Sequence, residues 1–294
     1  MKPAAFKYVD VAEEGALAAA LAENGDEARV LAGGQSLVPM MNFRIVLPAV
    51  LIDINRVDTL SYIDVGGETL KVGALTRHAM LEDSTEVSQR CPLLAKAVRY
   101  VAHRAVRNRG TTGGSLALAY PGAEIPLVCM TLAADVRLNS SRGERSLPMH
   151  AFLTGALDTT LEVDEYIRGI EIRLPPAHCA ASFVETSRRH GDFAIAAAAA
   201  VVGRDATGQV NYVRAGVSGG TGAPIRLTAL EGRLDKQSPT DAMLNEAAHE
   251  AVADLEVFGD HHYPGDYRRH LLRVVLYRAL GEAAGIETKV RHVR

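Results

Sequence analysis

Hydrophobic and polar positions alternate along this chain with two different periods. Over residues 13–24, Leu17, Leu21 and several alanines recur at helical spacing, and Asn24-Gly25 supplies a stop, which predicts a helix. Ala28 to Ala32 and Val50 to Ile54 are short apolar runs that predict strands, so the chain opens with β–α–β character. Leu60 to Val65 and Thr69 to Ala74 flank Gly66-Gly67 and predict a hairpin. Pro92 opens a helix with Leu93, Leu94, Ala97, Val98 and Val101 on its apolar face, and Glu124-Ile125-Pro126 opens another reaching about Ala133. Asp135 to Leu138, with a turn over 140–144, predicts a second hairpin. Ile170 to Leu174 alternates strictly and predicts a half-buried strand.

Pro175-Pro176-Ala177 marks a domain boundary. Beyond it, the alanines of Phe193 to Val202 favour a helix by propensity. Val201-Val202-Gly203, a Gly/Asp-rich turn and the run Val210 to Val217 point instead to a hairpin, which is the expectation taken. The tail predicts helices over roughly 240–256 and 266–282, the second with Leu271, Val274, Val275 and Arg278 in register. The pattern gives two α+β lobes, then strands followed by helices.

Composition narrows the function. With 294 residues, 48% hydrophobic and 23% charged, the chain is an ordinary globular protein and not a disordered one. A net charge of −3 provides no overall positive field for nucleic acid. Cys91, Cys129 and Cys179 are too scattered to ligate a zinc or an iron–sulfur cluster within this chain, and they fit a reducing compartment. The first residues lack a secretory pattern, and the longest apolar run, 193–202, is too short to span a bilayer, so a cytoplasmic location is expected. Trp is absent and aromatics make up 5%, which leaves few rings for base stacking.

Two glycine-rich turns carry candidate chemistry: Leu31-Ala32-Gly33-Gly34-Gln35-Ser36-Leu37 and Gly110-Thr111-Thr112-Gly113-Gly114-Ser115-Leu116. A diphosphate needs converging donors, and paired glycines leave main-chain N–H groups unshielded while adopting positive φ. Ser36, Thr111 and Ser115 add hydroxyls, and Gln35 adds an amide. Neither turn matches the dinucleotide fingerprint G-x-G-x-x-G or the P-loop, so each is equally readable as a tight turn between strands.

Ala32 to Leu37 resembles the first FAD-binding motif of the flavoprotein (medium) subunits of molybdenum hydroxylases, the family of carbon monoxide dehydrogenase, xanthine dehydrogenase and bacterial N-heterocycle hydroxylases. Thr111 to Ser115 resembles the second motif, and the likeness continues through Pro121 to Pro126 and Gly191-Asp192-Phe193-Ala194. The resemblance implies a two-lobed FAD-binding domain of the vanillyl-alcohol-oxidase (PCMH) type over 1–175 and a small sheet-plus-helices domain over 178–285, with flavin in the cleft between them.

The resemblance also implies roles. Ala32, Gly33, Gly34, Gln35, Ser36 and Leu37 wrap the diphosphate. Thr111, Gly113, Gly114 and Ser115 hold the diphosphate and ribityl side from the second lobe, and Gly110 beside them is also cofactor-binding. The family usually has Asn at the Ser115 position, and Ser offers one donor hydrogen against two. Glu124 accepts from a ribose or ribityl hydroxyl, or is a carboxylate suited to a helix start. Ala102 is cofactor-binding, and His103 beside it either contacts the flavin from a loop or is a solvent-facing helix end. Ile167 touches the ring or packs the core. Phe193 stacks on the ring or packs the core. Arg188 and Arg189 meet the flavin or a partner, or form a solvated face. Gln35 stands where carbon monoxide dehydrogenase has His, which favours a relative acting on organic substrates. His261-His262 reads as a loop pair, not a metal site.

No catalytic residue is expected in this chain. The resemblance assigns the molybdenum cofactor to a separate large subunit and two [2Fe-2S] clusters to a small subunit, assembled as a dimer of heterotrimers. FAD then passes electrons from the clusters to NAD, a quinone or oxygen. The competing expectations are a self-sufficient flavin oxidase or reductase, a flavin-free assembly subunit, and a binder of some other phosphate ligand.

Overall fold

A computed structural model describes residues 2–289. It divides the chain into two compact α+β units, each assembled from three stretches of sequence. Of the described residues, the first comprises 2–83, His103–Ala119 and Ala134–Ile172; the second comprises Ser84–Ala102, Tyr120–Ala133 and 173–289.

In the first unit a three-stranded parallel sheet places Val50–Asp53 between Lys7–Asp10 and Ala28–Leu31. Helix Glu14–Asn24 covers it through Leu17, Ala18, Ala20 and Leu21 and ends at Gly25, whose positive φ lets the chain turn away. A five-stranded sheet follows in the order Ile63–Gly66, Thr69–Gly73, Tyr166–Arg173, Asp135–Ser140, Gly143–Pro148. Its two outer pairs are the predicted hairpins. The strand expected at 170–174 begins earlier, at Tyr166, and carries a register shift between Ile167 and Gly169.

In the second unit a four-stranded antiparallel sheet orders Ala180–Thr186, Ala196–Arg204, Val210–Ser218 and Ile225–Arg226. The alanine-rich run is thus a strand and not a helix. Ala196 to Ala200 are at most 1% exposed because elements cover the strand on both sides. Helix Gly265–Ala284 packs on it, as does the short helix Glu124–Thr131. Small side chains allow that close approach, and burial outweighs the intrinsic preference of alanine. The face of Gly265–Ala284 that enters the core carries Leu272, Val275, Leu276, Ala279 and Leu280. It is offset by about one residue from the expected set: Leu271, Val274 and Arg278 are only partly buried. The helix opened by Pro92 stops at Ala97, although Val98 and Val101 are buried as expected.

Candidate functional site

The first glycine turn joins strand Ala28–Leu31 to the short helix Leu37–Asn42. Gly34 has φ +70°, a conformation that side chains resist. Gln35 Nε2 donates to the Gly33 carbonyl at 3.0 Å and closes the turn from inside. The helix accepts its first main-chain bonds at the Gly34 and Ser36 carbonyls. Among the described residues, the amides of Gly33, Gly34, Gln35, Ser36 and Leu37 find no main-chain acceptor. Such a run of unsatisfied donors is a ready concavity for an anion.

The second turn differs from expectation. It is not a turn between strands, because Thr111 caps helix Thr112–Leu118. Its amides from Thr112 to Ser115 are already committed. Thr112 N donates to the Thr76 carbonyl at 3.0 Å and Gly113 N to the Ala74 carbonyl at 2.9 Å. Gly114 N donates to Thr111 Oγ1 at 3.1 Å, and Ser115 N to the Thr111 carbonyl at 3.0 Å. A Cβ on Gly113 would lie 2.6 Å from Ala74 Cβ, so glycine here lets the helix rest on the loop after strand Thr69–Gly73. Gly114 is exposed and Ser115 half-exposed.

The two turns meet within the first unit. A Cβ on Gly33 would lie 2.3 Å from the Arg109 carbonyl oxygen and 2.9 Å from Gly110 Cα. Gly110 is buried; its carbonyl accepts from His78 N at 3.0 Å. His78 is itself buried. Burial, and then the charges of Arg107 and Arg77, bring its imidazole down to about 4, so it stays neutral. Arg77 and Arg109 are the cations beside the turns. Burial, and then the neighbouring Arg109, lower the Arg77 guanidinium from its usual range, with Asp53 opposing them. Spacing and periodicity single out none of Asn55, Arg77 and Arg109, because their proximity comes from three separate loops.

The remaining candidates are dispersed. Ile167 is 6% exposed and pairs with Leu138 in the five-stranded sheet of the first unit. Glu124, Ala102 and Phe193 belong to the second unit. Glu124 begins helix Glu124–Thr131 and is buried, which pushes its carboxyl up to about 7. Glu185 follows suit at about 8 through burial and then the Glu124 charge, and its buried Oε2 has no hydrogen-bond partner among the described residues. Ala102 adopts φ +44°. Phe193 is not a core residue: it is 45% exposed and stacks on Tyr120 with ring centroids 4.1 Å apart. Arg188 and Arg189 are exposed, and the His261 and His262 rings meet edge-on in an exposed loop.

A run of free main-chain amides beside two arginines defines an anion-binding unit, and comparison with known proteins gives the family. The FAD binding domain in molybdopterin dehydrogenase matches residues 4–176, and the CO dehydrogenase flavoprotein C-terminal domain matches residues 181–283. The chain is 40% identical to the 6-hydroxypseudooxynicotine dehydrogenase complex subunit alpha of Paenarthrobacter nicotinovorans, with 96% of each chain covered. It is 36% identical to the caffeine dehydrogenase subunit beta of a Pseudomonas species, covering 97% of this chain and 96% of that one. The structure superposes on carbon monoxide dehydrogenase from Hydrogenophaga pseudoflava with a TM-score of 0.93 at 34% identity, covering 97% of this chain and 99% of the other. The chain therefore belongs to the FAD-binding medium subunits of the molybdenum hydroxylase family. Among the described residues, no helix is long and apolar enough to cross a membrane.

Proposed function

We propose that this chain is the electron outlet of a molybdenum-containing hydroxylase. It holds FAD between iron–sulfur clusters of a small partner subunit and an external acceptor, while a large partner subunit carries the molybdenum cofactor and the substrate. When bound, the flavin takes electrons one at a time and gives them up in pairs, which couples cluster donors to a two-electron acceptor. The work of this chain is binding and orientation.

The observation that carries the reading is the set of amides on Gly33, Gly34, Gln35, Ser36 and Leu37 without main-chain acceptors among the described residues, beside the cations Arg77 and Arg109. These amides, with the Ser36 hydroxyl and the chain around Ala32, bind the diphosphate. Gly110, Thr111, Gly113, Gly114 and Ser115 take a different part. The amides of Gly110, Gly113, Gly114 and Ser115 being committed, the exposed Gly114 and half-exposed Ser115 offer a face with little side chain, with the Ser115 hydroxyl as a donor. Glu124 accepts a sugar hydroxyl hydrogen bond, and Ala102, Ile167 and Phe193 are the ring-side residues. Residues 1–175 form the FAD-binding domain and 178–285 the C-terminal domain, in a cytoplasmic dimer of heterotrimers. Relatives named for caffeine and for a nicotine derivative support an organic substrate for the whole enzyme.

The test is the absorbance spectrum of the purified chain, followed by acid release of its chromophore and co-purification of partner subunits. The reading expects FAD. A folded chain that is unpigmented and takes up no added FAD overturns it.

A further inference from the structure

A polar relay outside both glycine motifs ties the two turns together. Asn55 Nδ2 donates to the Ala32 carbonyl at 2.9 Å, at the entry to the first turn. Asn55 Oδ1 accepts from Arg77 Nη2 at 2.6 Å. Arg77 Nη1 donates to the Arg109 carbonyl, the same oxygen against which Gly33 packs. Both ends of the relay are anchored. Asp53 Oδ1 accepts from the Asn55 side-chain and main-chain amides at 2.6 and 2.8 Å, and Asp53 Oδ2 from the Tyr8 hydroxyl at 2.6 Å. At the other end Arg77 pairs with Thr111 in an isolated β-bridge.

We propose that Arg77, acting through Asn55, is a positioning residue for FAD: it fixes the gap between the two glycine turns and so aims the amides of Gly33 to Leu37 at the diphosphate. This rests on the function proposed above. The geometry calls for arginine. A guanidinium donates in two fixed directions from one plane, whereas an ammonium on a flexible stem does not hold two acceptors at a set separation. The relay also accounts for a charge arrangement that a ligand-free role leaves unexplained. The half-buried Arg77 lies close to the like charge of Arg109, with Asp53 as its opposing neighbour. A dianionic diphosphate at the first turn relieves that repulsion.

The test titrates FAD into the full-length flavin-stripped chain, following flavin fluorescence, with the thermal midpoint of each variant measured alongside. Arg77→Met is expected to raise the FAD Kd at least ~10-fold. Asn55→Ala, which changes no charge, raises it by a similar factor with little change in the midpoint. The double variant binds no more weakly than the worse single, since both substitutions break one relay. Arg77→Lys restores the charge and only part of the affinity. Singles within twofold of the unaltered chain, effects that multiply in the double, or full rescue by lysine each overturn the relay while leaving FAD binding intact. An unaltered chain that takes up no FAD overturns the functional reading and this proposal with it.

Discussion

The two glycine turns look alike in sequence and are put to opposite uses. At Gly33-Gly34 the chain leaves a strand, and the amides through Leu37 have no main-chain acceptor among the described residues. At Gly113-Gly114 the chain enters a helix, and the amides from Thr112 to Ser115 are bonded internally. Glycine permits a close approach in both, of Gly33 to the Arg109 carbonyl and of Gly113 to Ala74, but it is the first turn that leaves a run of donors free. The carboxylates show the same contrast. Asp53, near the first turn, is held below the usual carboxylate range: against the penalty of burial, the Tyr8 hydroxyl and the Asn55 amides favour its charge. Glu124, after the second turn, is pushed upward by burial. Paired glycines or a lone acid thus say little until the fate of the neighbouring donors is known.

The largest difference should come from Gly33→Ala. Its new Cβ meets the Arg109 carbonyl at 2.3 Å, which forces main chain apart where the turns touch. FAD affinity should fall about 100-fold, ~2.7 kcal/mol, in an equilibrium titration. Gly34→Asp puts a side chain on a residue at φ +70°, with its Cβ 3.2 Å from Leu31 Cδ1 and Val38 Cγ2, and brings a negative charge to the same turn; it should also reduce flavin retention on gel filtration. Unchanged flavin occupancy in either variant would remove the functional distinction between the turns.

Gly113→Ala acts on the other side of the contrast. Crowding Ala74 at 2.6 Å should cost about 1–3 kcal/mol of stability, read from denaturant unfolding, with a smaller effect on FAD affinity than Gly33→Ala. A larger loss of affinity than of stability would assign the second turn a donor role after all.

The carboxylates predict a pH dependence. In the fold Glu124 and Glu185 are raised to about 7 and about 8. A raised carboxyl contributes stability that is complete below its unfolded value and lost as pH rises through the folded value. The thermal midpoint of the flavin-stripped chain should therefore fall between about pH 5 and 8. Glu124→Gln should flatten that fall and gain on the order of 2 kcal/mol at pH 8. Asp53 runs the other way. Its lowered value gives stability present above its unfolded value and lost as pH drops through the acid range, and Asp53→Asn should blunt that acid loss. A wild-type midpoint unchanged from pH 5 to 8 would contradict the buried state of Glu124 and Glu185. The smallest effect belongs to Thr111→Ala, which removes the helix cap on Gly114 N and should cost about 1 kcal/mol.

Much of the fold was legible because its signals are local. Both hairpins of the first unit follow from alternation around a turn, and helix Glu14–Asn24 from apolar spacing and Gly25. Other elements have no local signal. Strand Lys7–Asp10 is mostly exposed and exists because it pairs with Val50–Asp53. Helix Leu37–Asn42 contains Pro39, and Thr112–Leu118 contains two glycines, so propensity argues against both and tertiary contacts decide. The stretches 84–102 and 120–133 join the second unit although they precede Pro175-Pro176, which linear composition does not reveal. At the site, the motif residues were legible, but the difference in their amides was not, since it depends on acceptors at Ala74 and Thr76. The Asn55–Arg77 relay was equally hidden, because hydrogen bonds between distant loops leave no periodicity.

The most direct measurement of the central claim is amide hydrogen exchange of the full-length chain with and without FAD. Before FAD is added, the peptide covering Gly33 to Leu37 should exchange fast and the one covering Thr112 to Ser115 slowly. On adding FAD, protection should appear in the first peptide and change little in the second. Bound FAD with no new protection over Gly33 to Leu37 would contradict the assignment of those amides to the diphosphate.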